Sequence, residues 1–358
     1  MHLEVDKLTI GCIPNSPDYN HPQDRRRYVP YFKAKGILYE TAQYENDYDI
    51  IYISLSADLN LWCNYKEKQR KKDKDVRVIL DLSDLYLVEN NLKDMMRSVY
   101  HYLCKRTSVL TTSYKRTINK MIDSSDVIIC GSLEQKQFLN QIHKNVIIVR
   151  DYFDDEITVF KDSYDLIKNN ELHLLWEGFA HGNIEYFKML NDILSPISSY
   201  KIHIHIITDS EYCKLGGQYF CRPTYSVLKE TFKSSNISFH LYDWNSVTFN
   251  SIAIKCDLAL IPIPNNPLAI SKPENKLILL WLIGLPVVTS DTPSYTRVMR
   301  NINMDFTCNN YDKWRMKIVQ LANSKALRED YMCCARKFID NNYSKDSIFS
   351  IYDNIFFE

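Results

Sequence analysis

Lys272, Glu274, Asn275 and Lys276 fall within five positions, directly ahead of an apolar run that closes in Gly284-Leu285-Pro286-Val287-Val288. Two ammonium groups at a helix start, joined by its free backbone N–H groups, supply positive charge for a diphosphate. Glu274 and Asn275 offer acceptors and donors to sugar or ribose hydroxyls. A second group follows a strand-like run: Trp176-Glu177-Gly178-Phe179-Ala180-His181-Gly182-Asn183. Gly178 and Gly182 are two of only eight glycines in the chain. Small residues in such a turn let backbone N–H groups meet a phosphate, a plain turn being the competing reading. Gly178, His181, Gly182 and Asn183 are donor-side candidates, and Asp243, after the strand-like residues 237–241, joins them by position.

A different chemistry is offered by the polar loop of residues 14–24 and the Arg25-Arg26-Arg27 that follows it. His21 and Asp24 are candidate bases and Arg25 a candidate orienting group. The bland alternative has Asp24 capping its helix and the arginines solvated. Asp84, three residues after Asp81 at the end of another apolar run, and Ser132, after Gly131, complete the candidates on this side. Both also suit helix caps.

These groups need a frame. Short β-branched runs at residues 8–13, 50–54, 77–81, 127–130 and 146–149 alternate with helical stretches at 23–35, 92–122 and 133–141. A second series of strands is expected at 173–176, 201–207, 237–241, 258–261 and 286–289. Runs this apolar read as buried parallel strands, and the alternation reads as α/β. We expect two Rossmann-like domains facing across a cleft, residues 1–155 and 170–335. A helical tail, 336–358, should pack back on the first. The polar stretch 151–170, with a helical piece near 164–168, is the expected linker. In open parallel sheets ligands bind beyond the carboxyl ends of the strands, which is where the candidates above fall.

Composition removes several classes. Forty-four basic and forty-four acidic residues leave no global field for a nucleic acid. The longest apolar run, twelve residues, is shorter than the ~20 a membrane helix needs. The first ten residues carry His2, Glu4, Asp6 and Lys7 where a signal peptide would be apolar, so a cytoplasmic chain is expected. Ten scattered cysteines without a C-x-x-C pair read as reduced, and no structural zinc is expected. His203 and His205 share one strand face and, lacking a third ligand nearby, read as core or surface histidines rather than a metal pair.

Taken together, Ser125-Asp126 through Ser132 with Glu134-Gln135, Val149-Arg150-Asp151, Trp176-Glu177-Gly178, and Lys272-Pro273-Glu274-Asn275-Lys276 with Gly284-Leu285-Pro286 resemble the GT-B superfamily of nucleotide-sugar glycosyltransferases, particularly the bacterial "family 1"-like members. The resemblance implies a metal-independent, hexosyltransferase-like enzyme without a cofactor. Its second domain would hold a nucleoside-diphosphate sugar through Lys272, Glu274, Asn275 and Lys276. Its first would hold a surface polysaccharide or lipid-linked glycan acceptor near His21, Asp24 and Arg25. The glutamate pair that retaining members carry around the apolar helix is replaced by Ser271 and Leu279, and residues 177–183 hold no Arg or Lys. Inverting and retaining chemistry therefore both stand. So do a non-catalytic partner of the same fold and a nucleotide-sugar epimerase.

Residues 61–120 carry fourteen basic against seven acidic side chains. Within 92–122 the basics Lys93, Arg97, Lys105 and Arg106 interleave with Met95, Met96, Val99, Tyr102 and Leu103. Such a stretch lies on an anionic membrane surface or forms a solvated outer face.

Overall fold

The computed structural model describes residues 8–153, 156–166, 170–180, 184–214 and 219–357. The chain divides into two compact units. The first comprises Met1–Tyr152, Ser271–Pro273 and Tyr343–Glu358; the second comprises Phe153–Ile270 and Glu274–Asn342. The linker region shows no helix over 156–166, and 167–169 lie outside the described residues.

The first unit is built on β1 (Ile10–Ile13), β2 (Glu40–Thr41), β3 (Ile50–Ser54), β4 (Arg77–Leu82), β5 (Val127–Cys130) and β6 (Val146–Ile148), all parallel in the order β2-β1-β3-β4-β5-β6. Its helices are α1 (Pro22–Arg25), α2 (Tyr28–Lys35), α3 (Leu59–Trp62), α4 (Tyr65–Arg70), α5 (Asn91–Leu103), α6 (Tyr114–Ser124) and α7 (Leu133–Leu139). Successive strand residues face opposite ways, and both faces are covered. Ile51, Ile53, Val78, Leu80 and Ile128 pack under α3, α4 and α6, whereas Ile50, Tyr52, Ile79, Val127 and Ile129 pack under α2 and the final helix, Lys345–Phe357. That helix docks through Tyr352, stacked on Tyr31 at 5.1 Å, and through Asp353, which accepts from the Tyr31 hydroxyl at 2.8 Å.

The continuous helix expected over 92–122 is two helices. Lys105 takes a left-handed φ of 54°, and Ser113 caps α6 through the Arg116 N–H. Asp94 of α5 then accepts from the Ser113 hydroxyl (2.6 Å) and the Lys115 N–H (2.8 Å), tying the helices together. The stretch 23–35 likewise breaks at Arg26 and Arg27 between α1 and α2. Ser132 and Gln135 form the reciprocal capping box that their spacing announces.

The second unit holds β7 (Glu171–Glu177), β8 (Lys201–Thr208), β9 (Glu211–Lys214), β10 (Tyr219–Pro223), β11 (Ile237–Asp243), β12 (Leu258–Ile261), β13 (Val287–Ser290) and β14 (Thr307–Cys308). Its main sheet is parallel, in the order β11-β8-β7-β12-β13-β14. Around it lie α8 (Ile184–Leu194), α9 (Thr224–Thr231), α10 (Ser246–Ala253), α11 (Pro267–Ile270), α12 (Asn275–Leu282), α13 (Pro293–Asn301), α14 (Tyr311–Asn323) and α15 (Lys325–Asn342). β9 and β10 form a separate antiparallel hairpin, joined by a disulfide between Cys213 and Cys221. This corrects the reading of every cysteine as reduced: two residues eight apart come opposite one another only once the chain reverses. The other eight cysteines are free thiols.

His203 and His205 do share a face, with His173 of β7 and His240 of β11 beside them. The rings stack at 4.8 Å (His173 on His203, His205 on His240) and bond in pairs, His173 Nδ1 to His205 Nε2 at 3.0 Å and His203 Nδ1 to His240 Nε2 at 3.1 Å. The Tyr242 hydroxyl meets His205 Nδ1 at 3.1 Å, and the Glu171 carboxylate lies 3.8 Å from His173 and His203. Burial, reinforced by the neighbouring imidazoles, pulls His205 down to about 3; burial also lowers His203 and His240. Below pH 6.5 the unfolded chain takes up protons that these rings refuse, so native stability falls as pH drops from 6.5 toward 3 and is flat above. Each ring held neutral contributes up to about 1.4 kcal/mol per pH unit. Thermal unfolding between pH 7.5 and 4.5 should be steeper in wild type than in His205→Gln; parallel profiles would refute the assignment.

Candidate functional site

In the second unit the chain leaves β7 through Glu177 and Gly178. Trp176 is fully buried against Phe187 at 4.9 Å, and Glu177 is 8% exposed. Gly178 has φ 149°, and a Cβ there would come within 2.9 Å of the Lys276 ammonium, so the glycine is what lets that side chain approach. Lys276 Nζ donates to the Glu177 carbonyl at 2.6 Å, lies 3.5 Å from its carboxylate and stands 5.4 Å over the Trp176 ring.

Lys276 reaches this place from the first turn of α12, whose residues Leu277 to Trp281 are all buried. An apolar helix of this kind is clamped by packing, so its N-terminal residues are held in position. The helix ends at Gly284 (φ 93°), where a Cβ would meet the Lys161 carbonyl at 2.9 Å, and the chain turns directly into β13. After β13, Thr292 caps α13 by accepting from the Tyr295 N–H, which buries Ser294 and Tyr295. Burial keeps the Tyr295 hydroxyl protonated far above its ordinary range, helped by Glu274, Tyr186 and Glu177. Glu274, itself 8% exposed, therefore shares one neighbourhood with Glu177, Tyr186 and Tyr295. The result is a lysine, two buried carboxylates, a tyrosine hydroxyl and a helix N-terminus at the carboxyl ends of parallel strands. Such a set can grip an anionic group and the hydroxyls attached to it.

Among the expected donor residues, Gly178, Glu274 and Lys276 are brought into this cluster, and Asn275 opens α12 next to them. Asp243 ends β11, the outermost strand, exposed and two strands away from β7. His181, Gly182 and Asn183 lie outside the described residues. Lys272 belongs by its contacts to the first unit, its ammonium 3.6 Å from the Asp84 carboxylate. Trp176 and Glu177 were noted in sequence only as part of the Trp176-Glu177-Gly178 resemblance and not as site residues, whereas nothing in sequence announced Tyr295.

In the first unit the reading of Asp24 as a base is corrected. It is fully buried, and its carboxylate accepts from the Asn15 N–H (2.9 Å) and side-chain amide (3.0 Å), the Ser16 N–H (3.1 Å) and the Tyr28 hydroxyl (3.2 Å). It pins the loop shut. Burial raises its carboxyl against the pull of those bonds. His21 caps α1, its Nδ1 accepting from the Gln23 N–H at 3.3 Å, which places the ring proton on Nε2. Burial lowers its imidazole; Asp24 and Asp84 oppose the shift and Arg25 and Arg26 reinforce it. His21 thus stands neutral as a donor, and a base role would require the other tautomer. Arg25 spends one guanidinium N–H on the Asn20 carbonyl at 2.7 Å. Ser132 is buried, donating its hydroxyl to the Ser271 carbonyl at 2.7 Å while capping α7. Its expected contact with an acceptor gives way to this tether of residues 271–273. His21, Asp84 and Lys272 remain as the half-exposed polar groups of this edge.

No family model matches the chain, and no curated protein matches it by sequence. Its fold is matched in solved structures. An alpha-glucosyltransferase, AGT, in complex with UDP is 12% identical over 98% of this chain and 100% of its own, with a TM-score of 0.60. WaaG, a glycosyltransferase involved in lipopolysaccharide biosynthesis, is 13% identical over 97% of this chain and 98% of its own, with a TM-score of 0.57. A point mutant of S. aureus TarM, in complex with Fondaparinux, alpha-GlcNAc-glycerol and UDP, is 15% identical over 86% of this chain, with a TM-score of 0.53. The chain spans about half of TarM, 55% of its length. The likeness is one of fold: two Rossmann-like units of the GT-B type.

Proposed function

We propose that this protein is a glycosyltransferase that takes a sugar from a nucleoside-diphosphate donor held by the second unit and passes it to a glycan hydroxyl. The observation that carries the reading is Lys276, set by α12 against the Glu177–Gly178 turn with Glu274 beside it. Lys276 and the α12 N-terminus take the diphosphate and stabilise it as it departs, while Glu274 and Asn275 take sugar or ribose hydroxyls. UDP, bound by AGT and TarM, is the first donor base to try. The lysine balances the diphosphate charge that a metal would otherwise balance, so turnover is expected to be metal-independent. On the acceptor side, Asp84 and Lys272 orient the hydroxyl, with His21 as a hydrogen-bond donor. A surface polysaccharide or lipid-linked glycan is the acceptor class to try.

The test is thermal unfolding with UDP, GDP, CDP, ADP and dTDP, in EDTA and in magnesium. A bound nucleotide at a hundred times its Kd adds about 2.7 kcal/mol, a rise of a few degrees. A rise with one base in EDTA supports the donor reading. No rise with any base would overturn it and leave a non-catalytic role for the fold.

An anionic membrane surface is the place we propose for such an acceptor. No described helix is long and apolar enough to cross a membrane. On α5, however, Leu92, Met96 and Leu103 are 64%, 55% and 69% exposed, with Met95, Val99 and Tyr102 beside them and Lys93 and Lys105 at either end. Arg97 is withdrawn from this face by its ion pair with Glu89 at 2.8 Å. Leu92→Ser/Met96→Ser should lower cosedimentation with phosphatidylglycerol vesicles severalfold; equal binding would remove the membrane from the reading.

A further inference from the structure

The second unit contains a cavity of about 590 Å³ between α13, α14 and the ends of β13 and β14, whose lining does not include Lys276. The volume suits a small molecule. Its lining carries four cations, Arg297, Arg300, Lys313 and Lys317, against two carboxylates, Asp291 and Asp305, in a chain whose charges balance overall.

The charges are not interchangeable. Lys317 is buried, with its ammonium fixed by the Asp305 carboxylate at 2.8 Å and the Thr307 carbonyl at 2.9 Å. An ammonium has three N–H donors, so one remains for a ligand. That pair also consumes Asp305. Arg300 and Lys313 stand exposed at the rim with no ion pair among the described residues. Thr296, on the α13 wall, keeps its hydroxyl oxygen turned out of reach of the cavity. The positive end of the thirteen-residue helix α14 lies at Lys313, whose own N–H is spent on the Asn310 cap.

We propose that this cavity is an anion-binding site, distinct from the donor site, that takes the phosphate group of a small soluble ligand. A tetrahedral dianion offers enough acceptor oxygens for the Arg300 fork, Lys313 and the free N–H of Lys317 at once. Chloride, one small monoanion, cannot meet these donors together.

The experiment is titration calorimetry of the full chain with inorganic phosphate at constant ionic strength, with sodium chloride as the control. Saturable heat with phosphate and none with chloride is expected. Arg300→Ala/Lys313→Ala, whose exposed side chains make no ion pair among the described residues, should weaken that binding at least tenfold. Lys276→Met should leave it intact. Heat that is absent, matched by chloride, or unchanged in the double variant overturns the proposal, and heat lost in Lys276→Met assigns the anion to the donor site instead.

Discussion

Lys276→Met should lower kcat/KM for sugar transfer by about 10²–10³-fold and leave the melting temperature within a few degrees of wild type. The magnitude is that of removing one preorganised donor to an oxygen on which charge develops. Methionine keeps the unbranched stem that lies along Trp176 and removes the ammonium that donates to the Glu177 carbonyl. The loss should sit in kcat more than in KM, because the departing diphosphate carries more charge than the bound donor. Lys272→Ala should cost much less, since Lys272 is half-exposed and set against Asp84. Turnover in Lys276→Met within threefold of wild type would remove Lys276 from the chemistry.

Arg27→Ala should be among the most destabilising single substitutions in the chain, by about 3–5 kcal/mol. Arg27 is 2% exposed, and its guanidinium pairs with Asp81, bonds the Asp151 carboxylate at 3.2 Å and donates to the Val149 carbonyl at 3.0 Å. Tyr52 donates to the other oxygen of Asp81. Burial already pushes the Asp151 carboxyl up against the pull of Arg27. Without the arginine two carboxylates are left in the core of the first unit, beneath the loop that positions His21. Arg27→Lys should rescue little, because a point charge cannot serve the three directions that the guanidinium fork serves. Urea unfolding reads this directly, and a midpoint for Arg27→Ala equal to wild type would refute it.

How legible these features were depended on the range of the interaction behind them. Strands β3, β5 and β12 begin and end where their apolar runs do, because a parallel strand buried on both faces requires an unbroken run. The Ser132–Gln135 box is local and was readable for the same reason. The two-residue strands β2 and β14 carry no period and exist through pairing with β1 and β13. The break between α5 and α6 lies in a polar stretch whose amphipathic rhythm continues across it; it is made by Lys105 and sealed by Asp94 from another helix.

By itself, the sequence determined the alternation of apolar runs and amphipathic stretches, hence two α/β units, and it placed Gly178 just beyond a strand end and Glu274 and Lys276 at the head of an apolar helix. Local propensity and burial pattern suffice for that. Only the tertiary structure decided what each polar group does. Asp24 and Ser132 had the composition of a site and became struts, because their partners, Asn15, Tyr28 and Ser271, are supplied by folding and satisfy them fully. Glu177 and Tyr295 acquire meaning only from segments roughly 100 residues away. A side chain's chemistry is set by what shares its burial, and that sharing is a property of the fold.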